Sequence, residues 1–185
     1  LANSMSVALE NARLFEETRR LLAETEQRAS ELATVNTISQ AIAAELEQDA
    51  LIALVGEQMR ATFRADIAYV ALLDHQANRI RFPYAYGEQL VEMPYGEGLT
   101  SHILRTGVPL LINRDVSERR AELGTSLVGT PSRSYLGVPI RSGGEVAGVL
   151  SVQSTREEGR FGEGELRLLS TIAAVEALDP KLLEP

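Results

Sequence analysis

The stretch Ser134-Tyr135-Leu136-Gly137-Val138-Pro139-Ile140-Arg141-Ser142-Gly143-Gly144-Glu145-Val146-Ala147-Gly148-Val149-Leu150-Ser151-Val152-Gln153 decides the fold. It holds two apolar runs, Tyr135 to Arg141 and Val146 to Gln153, around a glycine pair. Glycines accept the positive φ angles of a tight hairpin turn, so Ser142-Gly143-Gly144-Glu145 predicts a hairpin joining two strands. Neither run alternates cleanly between apolar and polar residues, which places both strands centrally, with each face buried. Such a sheet needs cover on both sides.

Upstream, Ala65 to Asp74 is another near-continuous apolar run and predicts a further covered strand. His75 to Asn78 is a polar turn, and Arg79 to Gly87 returns as an aromatic strand. There Phe82, Tyr84 and Tyr86 alternate, so they share a face provided Pro83 does not break the strand. Gly96-Glu97-Gly98 is a turn feeding a short helix from Ser101 to Arg105, which Gly107 closes. Val108 to Ile112 is a short strand. The polar connection from Asn113 to Ser134 is long for a compact domain, a feature of functional segments, and it has room for a helical turn at Ser117 to Leu123. A last helix runs from about Glu165 to Leu178, stopped by Asp179-Pro180.

The first fifty residues read as helix, free of glycine and proline from Leu1 to Val55. A 4-3 spacing runs through Leu14, Thr18, Leu21, Thr25, Arg28, Leu32, Val35, Ser39, Ile42 and Leu46, the pattern of a left-handed supercoil. This predicts a homodimer through the N-terminal helix, with a seam weakened by its polar members. The plainer reading is a single amphipathic helix whose polar seam residues are solvated. Asp49 reads as the N-cap of a second helix, Ala50 to Phe63.

Composition narrows the function. The chain has 185 residues with formal charge −8, which opposes binding to phosphate backbones, so no nucleic-acid partner is expected. No window approaches the run of apolar residues that spans a bilayer, and no membrane contact is expected in this segment. A cytoplasmic location fits. Cysteine is absent, which excludes disulfides, thiol catalysis and zinc–thiolate sites. Two histidines, His75 and His102, do not make a histidine-rich metal site.

Gly98-Leu99-Thr100, followed by Arg105-Thr106-Gly107-Val108-Pro109, resembles the middle of GAF domains. The two strands of the opening stretch resemble that family's paired central strands, and Phe161, Glu165, Leu168 and Leu169 resemble its closing helix. The resemblance covers Glu31 to Leu178. It implies an α+β, profilin-like sandwich: a central antiparallel sheet of five or six strands, preceded by a long coiled-coil-forming helix. Two long helices and the closing helix would cover one face, and the short helix with the long loop would cover a ligand pocket on the other. Residues 1–30 would then be a signalling linker ending a preceding domain, 31–178 the GAF domain and 179–185 a tail. The start, Leu1 to Leu14, itself resembles the closing helix of another GAF domain, so a tandem set in a longer chain is expected. Such linkers join sensors to effector domains such as a kinase or cyclase.

The resemblance also says which chemistry to expect. Bilin attachment and methionine-sulfoxide reduction in relatives require cysteine, which this chain lacks. The cyclic-nucleotide signature of other relatives has no counterpart here. Some relatives bind haem through histidine; His102 is the better placed of the two, and a packed or half-exposed histidine is its simpler reading. No cofactor is therefore assigned. The candidate ligand-binding residues are Tyr69, Tyr84, Tyr86 and Tyr135, because a buried tyrosine offers ring area plus a hydroxyl that needs a partner. Thr100, Ser101 and His102 at the helix start, with Arg133, Ser134 and Gln153, complete the set. Ordinary sheet packing is the alternative for each tyrosine, and a one-residue register slip would exchange these choices.

Three functions follow. The first is a non-catalytic sensing and dimerisation module that couples pocket occupancy to the coiled-coil helix. The second is a structural dimerisation spacer with no ligand of its own. The third is a hydrolase using His102 with Glu97 or Ser101, but adjacent helical residues point roughly 100° apart, which is poor geometry for a nucleophile and its base.

Overall fold

The computed structural model describes residues 2–90 and 92–176. The residues past Glu176, including the expected helix stop at Asp179-Pro180 and the tail, lie outside the described residues, as do the side chains of Ile42 and Leu46. Two compact units are present, Leu1–Glu47 and Gln48–Pro185.

The first unit is helical and belongs to α1 (Ala2–Phe63). Its apolar stripe faces solvent: Leu14, Phe15, Leu21, Leu22, Leu32 and Val35 are all at least half exposed. On the seam, Thr18 and Thr25 donate their hydroxyls to the carbonyls of Leu14 and Leu21, each at 2.7 Å, which satisfies both hydroxyls within the helix. Arg28 pairs with Glu24 at 2.5 Å. Asp49 is a correction: it caps no second helix, because α1 runs through it unbroken to Phe63. An aspartate inside a helix costs only about 0.5 kcal/mol relative to alanine, and no glycine or proline precedes Gly56 to halt propagation.

The second unit is built on a six-stranded antiparallel sheet. Its strands are β1 (Ile67–Asp74), β2 (Arg79–Tyr86), β3 (Glu92–Pro94), β4 (Leu110–Ile112), β5 (Ser134–Ser142) and β6 (Glu145–Ser154). Their order across the sheet is β3-β2-β1-β6-β5-β4. The predicted hairpin is β5–β6, and β6 and β1 form the centre. Strand β3 has no counterpart in the sequence reading, because three residues ending in Pro94 carry no periodicity.

Successive side chains point to opposite faces, and the core is divided accordingly. Ala68, Val70, Leu136, Val138, Leu150 and Val152 pack against Ile52, Met59 and Phe63 of α1 and against Leu169 and Ala173 of α4 (Glu163–Glu176). Ile67, Tyr69, Tyr135 and Val149 face the other way, toward Leu99 and Ile103 of α2 (Gly98–Thr106) and Val116 of α3 (Val116–Glu122). Gly107, at φ 64°, ends α2 in the left-handed conformation expected of a glycine C-cap.

One expectation about the sheet fails. Val70 pairs with Tyr84 but Leu72 pairs with Arg81, so Phe82 and Pro83 together oppose Ala71 in a β-bulge. Proline cannot donate to the ladder, and the extra residue reverses the alternation. Phe82 therefore faces the α2 side, while Tyr84 packs on the α1 side and Tyr86 lies under the Arg60 guanidinium, 4.7 Å from its ring centre. The three aromatics do not share a face.

Candidate functional site

A cavity opens on the α2 face of the sheet, between β1, β2, β5 and β6 below and the segment from Ser126 to Ser132 above. Its floor is polar. The Tyr69 hydroxyl, from β1, lies 2.8 Å from Thr100 Oγ1 of α2 and 3.5 Å from the Tyr135 hydroxyl of β5. Phe82 holds the Tyr69 ring edge-on, with centroids 5.4 Å apart. Gln153 is 8% exposed and also lines the cavity. Ser151 is fully buried beside the Tyr135 phenol and is not among the residues that line the cavity. Burial pushes the Tyr135 phenol well above the ordinary tyrosine range, and its neighbour Tyr69 adds to the shift, so Tyr135 stays a neutral phenol.

The walls are apolar, from Leu90, Met93, Leu99, Val116 and Val128, with two charges, Glu88 and Arg120. Glu88 fastens the covering segment: its Oε1 accepts from the Thr130 amide at 2.6 Å and the Thr130 hydroxyl at 3.1 Å. The turn there is left-handed at Gly129, φ 74°, and a side chain at that position would collide with the Glu88 carboxylate. The cavity is small, about 40 Å³, which holds about three waters. Part of the reason is Tyr135, whose ring lies over Gly137: a Cβ on Gly137 would be 3.0 Å from Tyr135 Cε1.

Of the ten residues singled out from the sequence, Tyr69, Thr100, Tyr135 and Gln153 meet in this cavity. The other six do not. Tyr84 and Tyr86 are carried to the opposite face by the bulge, where burial pushes the Tyr84 phenol up to about 12, helped by its hydrogen bond to Glu57. Ser134 precedes Tyr135 by one and so faces away, donating to the Glu157 carbonyl at 2.8 Å. Arg133 is exposed in a shallow cleft with Asp115 and Glu158. Ser101 Oγ accepts from the Gly96 amide at 3.0 Å, which fixes the turn into α2.

His102 is half-buried outside the cavity, with Nδ1 3.5 Å from Arg105 Nη2. Burial, then the charges of Arg105 and Arg119, lower its pKa. Ser101 and His102 thus turn to different partners, as their helical spacing requires. Among the described residues no group of three His, Cys, Asp or Glu could hold a metal ion, and no helix is long and apolar enough to cross a membrane.

Sequence reasoning missed Phe82, Glu88 and Arg120. Arg120 was legible in principle, because it stands four residues after the buried Val116 and so shares its helix face. Glu88 carried no local signal, since its partner Thr130 is 42 residues away.

An antiparallel six-stranded sheet between a helical layer and a cavity-covering layer defines an αβ sandwich. The GAF domain family model matches residues 45–176, and the chain belongs to the GAF domain family. That family's domains occur in regulators: the chain is 33% identical over 89 residues to the Nif-specific regulatory protein of Azospirillum lipoferum, covering 45% of this chain and 14% of that protein. The chain thus spans about a seventh of the length of the curated relatives it matches. Among solved structures, it resembles the GAF domain of an Acinetobacter phosphoenolpyruvate-protein phosphotransferase, with TM-score 0.61 and 20% identity over 73% of this chain and 79% of that one. It also resembles a free methionine-R-sulfoxide reductase from Thermoplasma acidophilum, with TM-score 0.64 and 20% identity over 75% and 94%. At such identity these two likenesses bear on the fold alone.

Proposed function

We propose that this chain is a non-catalytic, cytoplasmic sensing module of a longer regulatory protein, in which a small molecule enters the cavity and its occupancy is passed to helix α1. On this reading residues 1–30 are a signalling linker that pairs with a second copy, 31–178 are the sensor domain, 179–185 are a tail, and an effector domain such as a kinase or cyclase is covalently attached. No nucleic acid or membrane partner belongs to this segment. The observation that carries the reading is the cavity floor, where Tyr69, Thr100, Tyr135 and Gln153 converge. A few convergent polar groups among apolar walls are the pattern of a small-molecule site, so this floor supports an occupant that hydrogen-bonds to it. Signalling further requires that the occupant prefer one of two states of the domain.

A structural spacer is the second reading, and the small cavity favours it. Native mass spectrometry of the purified chain, with thermal-shift screening of metabolites, separates the two. The sensing reading expects a retained or stabilising small molecule whose effect is lost in Gln153→Leu. Failure of every metabolite to bind would leave the spacer.

A further inference from the structure

The two charged residues of the cavity wall narrow the class of ligand. Arg120, on α3, is half-buried; its Nη2 lies 3.2 Å from Ser117 Oγ, and among the described residues no carboxylate comes within 4.0 Å of it. Arg119 beside it differs, being paired with Glu122 at 2.6 Å. Glu88 is also half-buried, and Thr130 engages only its Oε1, so Oε2 has no hydrogen-bond partner among the described residues. A fixed cation and a fixed anion therefore line one small cavity of polar floor and apolar walls without pairing to each other.

A purely anionic ligand would suit Arg120 but be repelled by Glu88, and a purely cationic one would meet the reverse. A small molecule carrying both charges, as two groups on one carbon, can satisfy both. A cavity that holds only about three waters limits the guest to a few heavy atoms, the scale of the smallest amino acids. We infer that the cavity takes a small zwitterionic α-amino acid, of alanine to serine size. Its carboxylate is held by the planar Arg120 fork and its ammonium by Glu88 Oε2. Its short side chain points to the hydroxyl floor. The ammonium then binds the free oxygen of the same carboxylate whose other oxygen holds Thr130, so the ligand acts on the residue that fastens the covering segment. This inference rests on the reading of the cavity as a sensory site.

The test is calorimetric titration of the whole chain with L-alanine, L-serine, pyruvate and L-alaninamide. Hydrogen bonds to charged groups are worth about 1.5–3 kcal/mol, so removing either ligand charge should weaken binding at least tenfold. Arg120→Met and Glu88→Gln should each weaken amino-acid binding by a similar factor. Glu88→Gln keeps an oxygen acceptor for Thr130, so its covering segment stays fastened, and unchanged melting curves verify both folds. Pyruvate or alaninamide binding as tightly as alanine would overturn the inference. So would amino-acid binding that survives both substitutions, or no binding of either amino acid at millimolar concentration. A retained neutral or singly charged metabolite, lost in Gln153→Leu, would sink the zwitterion and leave the sensory cavity standing. If nothing is retained and nothing binds, both fall.

Discussion

Gly56 lies in the interior of α1, where glycine is about 1 kcal/mol less favourable than alanine, so Gly56→Ala taken alone should stabilise the helix. The structure reverses that sign. A Cβ at this position would stand 2.5 Å from Tyr84 Cε1 and closer still to two other atoms of the ring, against an ordinary carbon–carbon contact of about 3.5–4.0 Å. The ring would have to retreat by an ångström or more. It is held in place by the bulge in β2 and by its hydroxyl, which donates to Glu57 Oε2 at 3.2 Å. Overpacking of this kind costs about 1–3 kcal/mol. Set against the propensity gain, the net is a loss of about 1 kcal/mol, a fall in Tm of about 2–5 °C. The decisive assay is a double-mutant cycle by thermal or urea unfolding. In a Tyr84→Ala background the clash is gone, and Gly56→Ala should then stabilise by about 0.5–1 kcal/mol. An equal effect of Gly56→Ala in both backgrounds would refute the claim that the Tyr84 ring is the reason for glycine here.

Glu88→Ala removes the acceptor of the Thr130 amide, so that amide should exchange with deuterium at least tenfold faster while the β1 and β6 amides keep their protection. His102 has a lowered folded pKa, because burial and then Arg105 and Arg119 disfavour its charged form. The unfolded chain therefore binds the proton more readily; this contribution to stability is complete above the ordinary histidine value of 6.5 and is lost as pH falls through and below it, a slope that His102→Gln should flatten in unfolding midpoints. Arg28→Leu removes an exposed cation from the seam, and burying leucine at about 1.5–3 kcal/mol should tighten self-association at least tenfold in sedimentation equilibrium; an unchanged Kd would mean the seam is not an interface.

Where a structural feature depends on neighbours in sequence, it was legible. The β5–β6 hairpin follows from Gly143-Gly144 between apolar runs, and the end of α2 from Gly107. The buried Tyr69 and Tyr135 follow from their place in strands covered on both faces. Features that depend on competition between local and distant terms were not. Pro83 could have broken the strand or bulged it, and only pairing with β1 selects the bulge that parts Phe82 from Tyr84. Asp49 looked like a cap because aspartate often is one, but a capping residue matters only where something stops the helix, and nothing there does. Glu88 and Thr130 meet across 42 residues, a contact that no periodicity encodes.

The cavity's composition bears on the choice between sensor and spacer more than its size does. Tyr135 could lower its ring over Gly137 in either case, and a domain that needed only rigidity would gain by completing that filling with apolar groups. Replacing buried polar groups by well-packed apolar ones is commonly neutral or stabilising. This chain instead keeps three hydroxyls in contact on the floor and an amide at Gln153. Beneath an apolar wall such groups strengthen one another when each is satisfied. A filled-in core has no need of them, and on the sensing reading a polar guest completes the set. The small volume, which taken alone favours the spacer, then sets the size of that guest.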